Sequence, residues 1–448
     1  MKTVSRLVAA FVPLLLVATA EAQQRPPVRQ LGAVTARSAE TFTSVAGVRA
    51  LSNGSVLVND VAGRRVIQFD AALGSFKIVA DSTSATANAY GGRTGSLLAY
   101  RGDSSIFVDP SSVSMLIVDP DGKVARVMAI PRAEDAGTIG SPMGNAAFDE
   151  SGRLIYRASP ALHMGGGADR VRIQATPGVA RTGPPPMPDI PDSAFIFSVD
   201  LATRKVDTVG YIRTPKVKLD MQQTENGFRM QSMLNPLPVV DDWAVLPDGS
   251  VAIVRGRDYH VDFIARDGST TSGAKIPFDW QRLTDEDKVA FLDSVKAARE
   301  RLGANAPVPA AGAGAAPGMG GGGGPQVMVF SQTTGGPPPG GRGAVRAGAG
   351  NMQSELVYVP ASDLPDYKPP FFAGSTRADT EGNLWIRTIP TSAIPGGPVY
   401  DVINRQGNIV ERVQVPENRS IIGFGPDGAV YLLHRDGSTS ALERASVS

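Results

Sequence analysis

Six copies of one sequence unit constrain the fold of this chain more than any other feature. Each copy is a short apolar segment, a turn that contains glycine, and two or three further β-prone segments. The turn glycines are Gly54, Gly102, Gly152, Gly249, Gly382 and Gly428. Units of about four short strands, repeated along a chain, are typical of a β-propeller. The pattern predicts an all-β, six-bladed β-propeller.

The second segment of each copy is a continuous apolar run, such as residues 56–58 or 251–254, rather than an alternating one. Continuous runs are expected for strands covered on both faces, and each blade of a propeller lies between two others. The predicted blades span residues 45–82, 95–132, 143–213, 241–278, 372–416 and 419–447. A strand at 30–37 is expected to complete the last blade and close the ring, which removes a free sheet edge. An irregular sandwich or two smaller β domains are the alternatives.

The first 22 residues predict a secretory signal peptide. They begin with Lys2 and Arg6, continue with the apolar run 7–20, and end in the small-residue pattern Ala20-Glu21-Ala22. The apolar run is too short to span a membrane, so cleavage after Ala22 and a secreted or periplasmic protein are expected. The remaining chain, 23–448, is predicted to be one domain. Its positive and negative charges balance, which argues against nucleic acid as a partner.

Within the first copy, the Asp60-x-x-x-Arg64 step and the segment Val66-Ile67-Gln68-Phe69-Asp70 resemble the NHL-type repeat of six-bladed propellers. The chain is more loosely similar to the gluconolactonase-like and TolB-like propellers. The close match covers the first copy, and the other copies keep only the pattern of turns and strands. The resemblance implies the propeller fold. For a gluconolactonase-like enzyme it also implies a divalent metal, held by carboxylate and amide oxygens at the mouth of the central channel.

Long insertions are expected at one end of the blades, which we call the long-loop end. They are residues 160–191, 214–240, 279–370 and 391–398. The turns between the first and second strands, and between the third and fourth, are short and share the opposite, tight-turn end. Because binding residues usually lie on loops held by a rigid scaffold, the long-loop end is the predicted binding face.

The largest insertion is predicted to begin with a helix. Thr284 is the expected N-cap, Asp287 completes a capping box, and Gly303 ends the helix. Its predicted apolar face consists of Phe291, Val295, Ala298 and Leu302, with Lys288 elsewhere. Residues 303–350 are rich in Gly and Pro and lack acidic side chains, so a flexible low-complexity insertion between blades four and five is expected. The apolar island 327–330 is its candidate point of attachment.

The candidate ligand-binding residues are Arg49, Arg157, Arg255, Arg377, Arg387 and His434. Most of them end the second strands, whereas Arg49 and Arg377 are expected near the start of the innermost strands, facing the channel. Guanidinium groups bind carboxylates and phosphates with a forked geometry, so these residues indicate an anionic ligand. The alternative is that the arginines pair with carboxylates between blades and hold the ring together.

A metal-dependent hydrolase or lyase of the gluconolactonase-like kind is the second functional hypothesis. It would place Ca²⁺ or another divalent metal on Asp60 and Asp109, with Asn59 and Asp258 as further oxygen donors. These residues do not occupy matching positions in successive copies. The chain contains no cysteine and three histidines, too few for the usual zinc site or catalytic triad, and no catalytic residue is identified.

The sequence therefore favours a secreted, non-catalytic monomer without a cofactor. Its expected partner is a protein, a peptide or a small anionic ligand, bound at the long-loop end. Neither a nucleic acid nor a membrane span is expected. The metal-dependent hydrolase or lyase is the alternative.

Overall fold

The computed structural model describes residues 24–83, 88–141, 145–158, 190–224, 227–302, 329–331, 357–391 and 395–447. Over these residues the chain is mostly β-structure, with two α-helices and two short 3-10 helices. The predicted signal peptide, most of the insertion 160–191, and most of the segment 303–350 lie outside the described residues. No described helix is both long enough and apolar enough to cross a membrane.

The first three repeat copies each form one antiparallel sheet whose strands follow chain order. Two strands precede them, Val28–Gln30 (β1) and Val34–Phe42 (β2). The first sheet contains Val45–Ala50 (β3), Val56–Asp60 (β4), Arg65–Phe69 (β5) and Phe76–Asp81 (β6). The second contains Ser96–Ala99 (β7), Ser105–Asp109 (β8), Ser114–Val118 (β9) and Val124–Ala129 (β10). The 3-10 helix Ala133–Asp135 and the helix Ala136–Ile139 (α1) precede the third sheet, which contains Ala147–Phe148 (β11), Leu154–Arg157 (β12), Ser193–Val199 (β13) and Val206–Arg213 (β14).

The other three copies form sheets of the same kind, separated by the insertions. The hairpin Lys218–Thr224 (β15) and Gly227–Leu234 (β16) comes first. The fourth sheet contains Asp242–Val245 (β17), Val251–Arg255 (β18), His260–Ile264 (β19) and Thr270–Ser272 (β20). Next come Asp285–Leu302 (α2), Val329–Ser331 (β21), Val357–Tyr358 (β22) and the 3-10 helix Ala361–Asp363. The fifth sheet contains Phe371–Ala378 (β23), Leu384–Thr388 (β24), Val399–Ile403 (β25) and Ile409–Gln414 (β26). The sixth contains Arg419–Phe424 (β27), Ala429–Asp436 (β28) and Thr439–Ser446 (β29).

The six repeat turns adopt the backbone that their glycines predict. Gly54, Gly102, Gly152, Gly249, Gly382 and Gly428 all have positive φ, between +57° and +87°. A side chain would strain this backbone, and glycine avoids that cost. Aspartates reinforce several turns: the carboxylates of Asp149 and Asp379 accept the N–H of the residue four positions on, each at 2.8 Å. The sequence repeat thus sets where each first strand reverses into the second.

The N-terminal strands complete sheets formed from the C-terminal part of the chain. β2 pairs antiparallel with β29 and gives the sixth sheet its fourth strand. β1 pairs parallel with β26 and adds a fifth strand to the fifth sheet, where the side chain of Gln30 donates to that of Gln414 at 2.7 Å. The segment predicted as one strand at 30–37 is therefore two strands that serve different sheets, because the chain crosses from one sheet to the next near Gly32.

Successive sheets pack face to face through apolar clusters. Buried side chains of the first and second sheets share one cluster, and the same holds for each later pair up to the fifth and sixth. A further cluster joins Ile67 and Phe69 of the first sheet to Tyr431 and Leu442 of the sixth. Face-to-face packing of four-stranded sheets around their first strands is the arrangement of a β-propeller. The all-β prediction is confirmed.

The helix α2 begins as its capping box predicts. The N–H of Asp287 donates to Thr284 Oγ1 at 3.2 Å, and the N–H of Thr284 donates to Asp287 Oδ2 at 2.9 Å. The buried side of the helix differs from the predicted apolar face, because it includes Leu292 and Lys288. Lys288 was predicted to lie elsewhere, and its Nζ is 2.7 Å from Asp366 Oδ1. The aliphatic stem of Lys288 can cover apolar surface while its ammonium pairs at the edge.

The insertions at the long-loop end build a small sheet that the sequence does not predict. β15 and β16 form its hairpin, β21 adds antiparallel to β16, and β22 pairs parallel with β16. β21 lies inside the segment expected to be flexible and overlaps the apolar island 327–330. That island is thus attached through backbone pairing, as proposed from its composition.

Glu443 of β29 offers a test of how the last sheet is held together. It is 2 % exposed and accepts from Arg419 Nε at 2.6 Å and from Arg37 Nη1 at 3.2 Å. Glu443→Ala leaves these cations without their partner, so we expect the free energy of unfolding to fall by about 3 kcal/mol in urea titrations. The exposed Glu417→Ala is the control and should change it by less than about 0.5 kcal/mol. Equal effects of the two variants would contradict a role for the buried carboxylate.

Candidate functional site

A cavity of about 280 Å³ lies where the first strands of all six sheets meet. One small residue from each of these strands lines it: Ala46, Ala99, Ala147, Ala244, Ala378 and Gly423. Because these side chains are short, the space between the strands stays open. The polar residues of the lining are Arg49, Asn59, Ser96, Asn145, Thr376 and Arg377.

A buried carboxylate, Asp242, lies at the start of β17 behind two residues that line the cavity, Asn145 and Thr376. It is 3 % exposed, and its Oδ2 accepts the N–H of Thr376 at 2.8 Å. Asn145 Nδ2 lies 3.3 Å from Asp242 Oδ1 and also donates to the carbonyl of Trp243. Burial raises the pKa of Asp242 above its ordinary value, and the hydrogen bond from Thr376 acts against that rise.

Two guanidinium groups share the electrostatic field of this carboxylate. Arg377 donates from Nε to the carbonyl of Ile421 at 3.2 Å. Burial lowers the pKa of Arg377, and Tyr400 and Asp242 oppose that effect. Arg157 is the last residue of β12, and its side chain is exposed to solvent. Desolvation by the surrounding protein nevertheless lowers the pKa of Arg157, and the charge of Asp242 opposes this effect. Asp242 thus acts on both cations, together with Tyr400 in the case of Arg377.

Arg49 and Arg377 were predicted near the starts of their strands, but both lie near the ends. Each is the second-last residue of its strand, β3 or β23, next to a tight turn. Arg49 donates to the carbonyls of Ala50 and Gly102, both at 2.9 Å, and burial lowers its pKa while Asp103 opposes this. The prediction that both arginines start the innermost strands was wrong, because these strands run from the long-loop end toward the tight turns.

Other predicted site residues are held by partners of their own. Arg255 bonds to Asp262 Oδ2 at 2.7 Å and Asp241 Oδ2 at 2.8 Å. His434 Nδ1 lies 3.1 Å from Arg37 Nη1 and 3.1 Å from Glu443 Oε1. Arg387 is half-buried in β24 and also has an interaction partner. The alternative expected charge pairs between blades, whereas these pairs lie within one sheet: Arg255 binds carboxylates of the fourth repeat copy, and His434 contacts residues of the sixth sheet.

The predicted metal ligands have oxygens already engaged by the chain. Asp60 accepts from the N–H of Gly63 and from Arg65 Nε, both at 2.9 Å. Asp109 accepts from Gly91, Ser111 and Ser112 at 2.6 to 2.9 Å. In the part of the chain that the structure describes, no group of three or more His, Asp or Glu side chains is arranged to hold a metal ion. These residues do not fit a divalent cation site of the kind implied by the gluconolactonase-like resemblance.

Sequence reasoning missed Asp242, Asn145 and Thr376. A signal was present, because Asp242 is a charged residue at the start of a strand whose following residues are apolar. A charge in that position needs a partner or a function. What the sequence could not show was that Asn145 and Thr376, from two other sheets, would meet it.

No protein-family model matches the chain, and no curated protein sequence matches it. Solved structures do align with most of it. A gluconolactonase from Xanthomonas campestris aligns over 95 % of this chain and 100 % of its own, with 11 % identity and a TM-score of 0.37. The calcium-binding protein regucalcin from Agrobacterium tumefaciens aligns over 94 % and 97 %, with 12 % identity and a TM-score of 0.36.

An inactive variant of virginiamycin B lyase from Staphylococcus aureus aligns over 93 % of this chain and 98 % of its own, with 8 % identity and a TM-score of 0.36. These proteins fall in the gluconolactonase-like propeller group that the sequence resembles. Since every TM-score lies below 0.5, the alignments establish neither a shared fold nor a shared activity. The description of the fold rests on the sheets and clusters given above.

The raised pKa of Asp242 makes a prediction about the pH dependence of stability. Asp242 binds its proton more tightly in the folded than in the unfolded chain, so its stabilising contribution is complete at low pH and is lost as the pH rises through the raised pKa. The unfolding free energy of the wild type minus that of Asp242→Asn should therefore fall between about pH 3 and pH 7.

Asp70 provides the opposite case, because its pKa is lowered in the folded protein. The unfolding free energies of both pairs of proteins can be measured by urea titration. A hydrogen bond from the Ser75 hydroxyl is the main cause that lowers the pKa of Asp70, which is fully exposed. The unfolding free energy of the wild type minus that of Asp70→Asn should therefore rise over the same pH range. Slopes of the same sign for the two variants would show that the carboxyl of Asp242 is not buried as described.

Proposed function

We propose that the six sheets are the blades of a propeller and that its central cavity binds a small molecule carrying a carboxylate or phosphate group. The observation that carries this proposal is a charge imbalance around the cavity. Two guanidinium groups that line the cavity, those of Arg49 and Arg377, have a pKa lowered by burial. One carboxylate, that of Asp242, is buried near them, and Arg157 is an exposed third cation whose field Asp242 shares. Small side chains from all six first strands leave room for a ligand beside them.

Desolvation gives these cations a reason to bind an anion. Burial disfavours the charged form of each guanidinium, as the lowered pKa values of Arg157 and Arg377 indicate. An anionic group in the cavity would restore the lost electrostatic stabilisation in a region shielded from water. The planar fork of arginine suits carboxylate and phosphate oxygens in particular. The same imbalance disfavours a cationic ligand.

Each polar residue has a distinct place in this proposal. Arg377 and Arg49 both line the cavity, and Arg377 is the principal binding group because its described bond uses only Nε, whereas Arg49 donates from both terminal nitrogens to carbonyls. The carboxylate of Asp242 favours the charged forms of Arg377 and Arg157. Arg157 lies at the long-loop end, directly before the insertion that follows β12. The ligand is therefore proposed to enter the cavity from this end, which is the predicted binding face. Arg49 marks the opposite, tight-turn end.

Arg377→Met tests the proposal directly. Loss of a charge-assisted hydrogen bond should weaken the binding of inorganic phosphate or succinate about tenfold or more, measured by calorimetry. Arg126→Gln, which removes an exposed arginine from β10, is the matched control and should leave affinity unchanged. The thermal unfolding of both variants checks that the fold is kept. Unchanged affinity in a folded Arg377→Met protein would exclude the central cavity as the anion site.

A hydrolase of esters or lactones is the second candidate function. The observation in its favour is Asp242, a carboxyl with a raised pKa beside two guanidinium groups and a cavity. Such an environment suits a general acid or base, and an arginine can stabilise a developing oxyanion. The preference for a non-catalytic protein, expected from the sequence, has no support among the described residues. Asp60 and Asp109 are not part of this candidate, since their oxygens are engaged.

Hydrolysis of a panel of simple lactones and phenyl esters, followed with the wild type, would test this second candidate. We expect Asp242→Asn to lower kcat at least about a hundredfold, the usual scale for loss of a general acid or base. The exposed Asp267→Asn should retain full activity. If the wild type hydrolyses nothing in the panel, or if Asp242→Asn is as active as the wild type, the hydrolase candidate is wrong.

A further inference from the structure

A second, smaller cavity lies between the first and second sheets at the long-loop end. Its volume is about 160 Å³, and Asn59, Arg64, Tyr90, Arg93 and Thr94 are among the residues that line it. We call it the side cavity. Asn59 also lines the central cavity, and its Nδ2 donates to the carbonyl of Gly95 at 2.8 Å. Asn59 thus stands between the two spaces and is fixed there by a buried hydrogen bond.

The guanidinium of Arg64 is held in place by the loop that follows the first sheet. Its Nε donates to Ser82 Oγ at 2.8 Å, and its Nη1 and Nη2 donate to the carbonyls of Gly92 and Gly91 at 2.9 and 3.2 Å. The backbone of Arg64 is itself left-handed, with φ of +52°. Three of its five N–H donors are therefore used, and the remaining two are held in a fixed position.

Arg93 contrasts with Arg64, because its guanidinium has no partner. Its backbone N–H donates to Ser111 Oγ at 2.8 Å, which positions the residue at the cavity. Within the described ranges of the chain, no hydrogen bond, ion pair or ring contact engages its side chain. The side cavity therefore combines one fixed guanidinium with one available guanidinium.

None of the carboxylates described near the side cavity forms a hydrogen bond or ion pair with Arg64 or Arg93. Asp60 is paired with Arg65 and with the N–H of Gly63. The bonds of Asp109 to Gly91, Ser111 and Ser112 use both of its oxygens. Asp81 accepts from the N–H and the hydroxyl of Thr83 at 3.0 and 2.8 Å. The local carboxylates thus have their own donors.

Tyr90 gives the side cavity a polar but uncharged wall. Its ring packs against that of Phe107, with centroids 4.6 Å apart, and its N–H donates to the carbonyl of Asp81 at 2.8 Å. Burial raises the pKa of Tyr90, and Arg64 opposes that rise, so the phenol stays protonated at neutral pH. A protonated phenol is a hydrogen-bond donor to an anion and adds no repulsion.

We propose that the side cavity is a second anion-binding site, which takes a carboxylate or phosphate group on Arg93 and on the two remaining N–H donors of Arg64. The proposal does not depend on the use of the central cavity. It assigns a function to the region where the sequence predicted a metal at Asp60 and Asp109. The group left without a hydrogen-bond or ion-pair partner among the described residues there is the guanidinium of Arg93, so the proposed ligand is an anion and not a metal ion.

Calorimetric titration of the mature protein with inorganic phosphate tests the proposal. We expect two classes of binding site in the wild type. Arg93→Gln should weaken one class about tenfold or more, which is the scale of a lost charge-assisted hydrogen bond. Arg93→Lys, which keeps the charge and loses the fork, should weaken that class less. Succinate in place of phosphate distinguishes a site for carboxylates from one for phosphates.

Two further variants separate this proposal from that for the central cavity. Arg377→Met should remove only the other class of site, and Arg126→Gln should retain both. The wild type could instead show one class of binding site, which is lost in Arg377→Met and kept in Arg93→Gln. That result would contradict anion binding in the side cavity and support anion binding in the central cavity. Absence of phosphate and succinate binding in the wild type would contradict anion binding in the side cavity as well. Because the side chain of Arg93 is exposed and has no hydrogen-bond or ion-pair partner among the described residues, its variants should unfold at the temperature of the wild type.

Discussion

Burial of the second strand of each sheet on both faces is the constraint on which the rest of the structure depends. Every residue of β4 and β8 is buried, and so are four of the five residues of β18. A sheet with two apolar faces needs a neighbour on each side. The clusters between successive sheets supply these neighbours, and the cluster between the first and sixth sheets supplies the last pair. The first strands are thereby brought together around the central cavity.

Partner choice separates the arginines that join sheets from the exposed arginines that we propose bind an anion. Arg405 of the fifth sheet bonds to Asp248 of the fourth. Arg266 of the fourth sheet lies near Asp149 of the third, with 4.0 Å between Nη2 and Oδ2. Both pairs lie at tight turns and join neighbouring sheets. Arg93 and Arg157, by contrast, have no hydrogen-bond partner in the described part of the chain. A guanidinium that the fold positions and leaves without a partner is a better guide to a binding site than its place in a repeat.

The repeat allowed much of the fold to be predicted, and few of the site contacts. Glycine turns and apolar runs act over a few residues, so the six sheets and the capping box of α2 could be inferred from local patterns. Side-chain contacts between different strands could not, which is why Arg255 and His434 were assigned to a ligand although Asp241 and Glu443 hold them. The hairpin of β15 and β16 was missed because its sequence carries no comparable pattern of turns.

The sequence by itself determined where each sheet begins and reverses, because the turn glycines and the continuous apolar runs act within one unit. Only the tertiary structure decided which charges lack a partner. Asp242 meets Asn145 and Thr376 from other sheets, and the oxygens of Asp109 are used by donors on both sides of β8. Whether a buried charge is satisfied depends on groups far away along the chain, and only packing of the sheets brings these groups within hydrogen-bond distance.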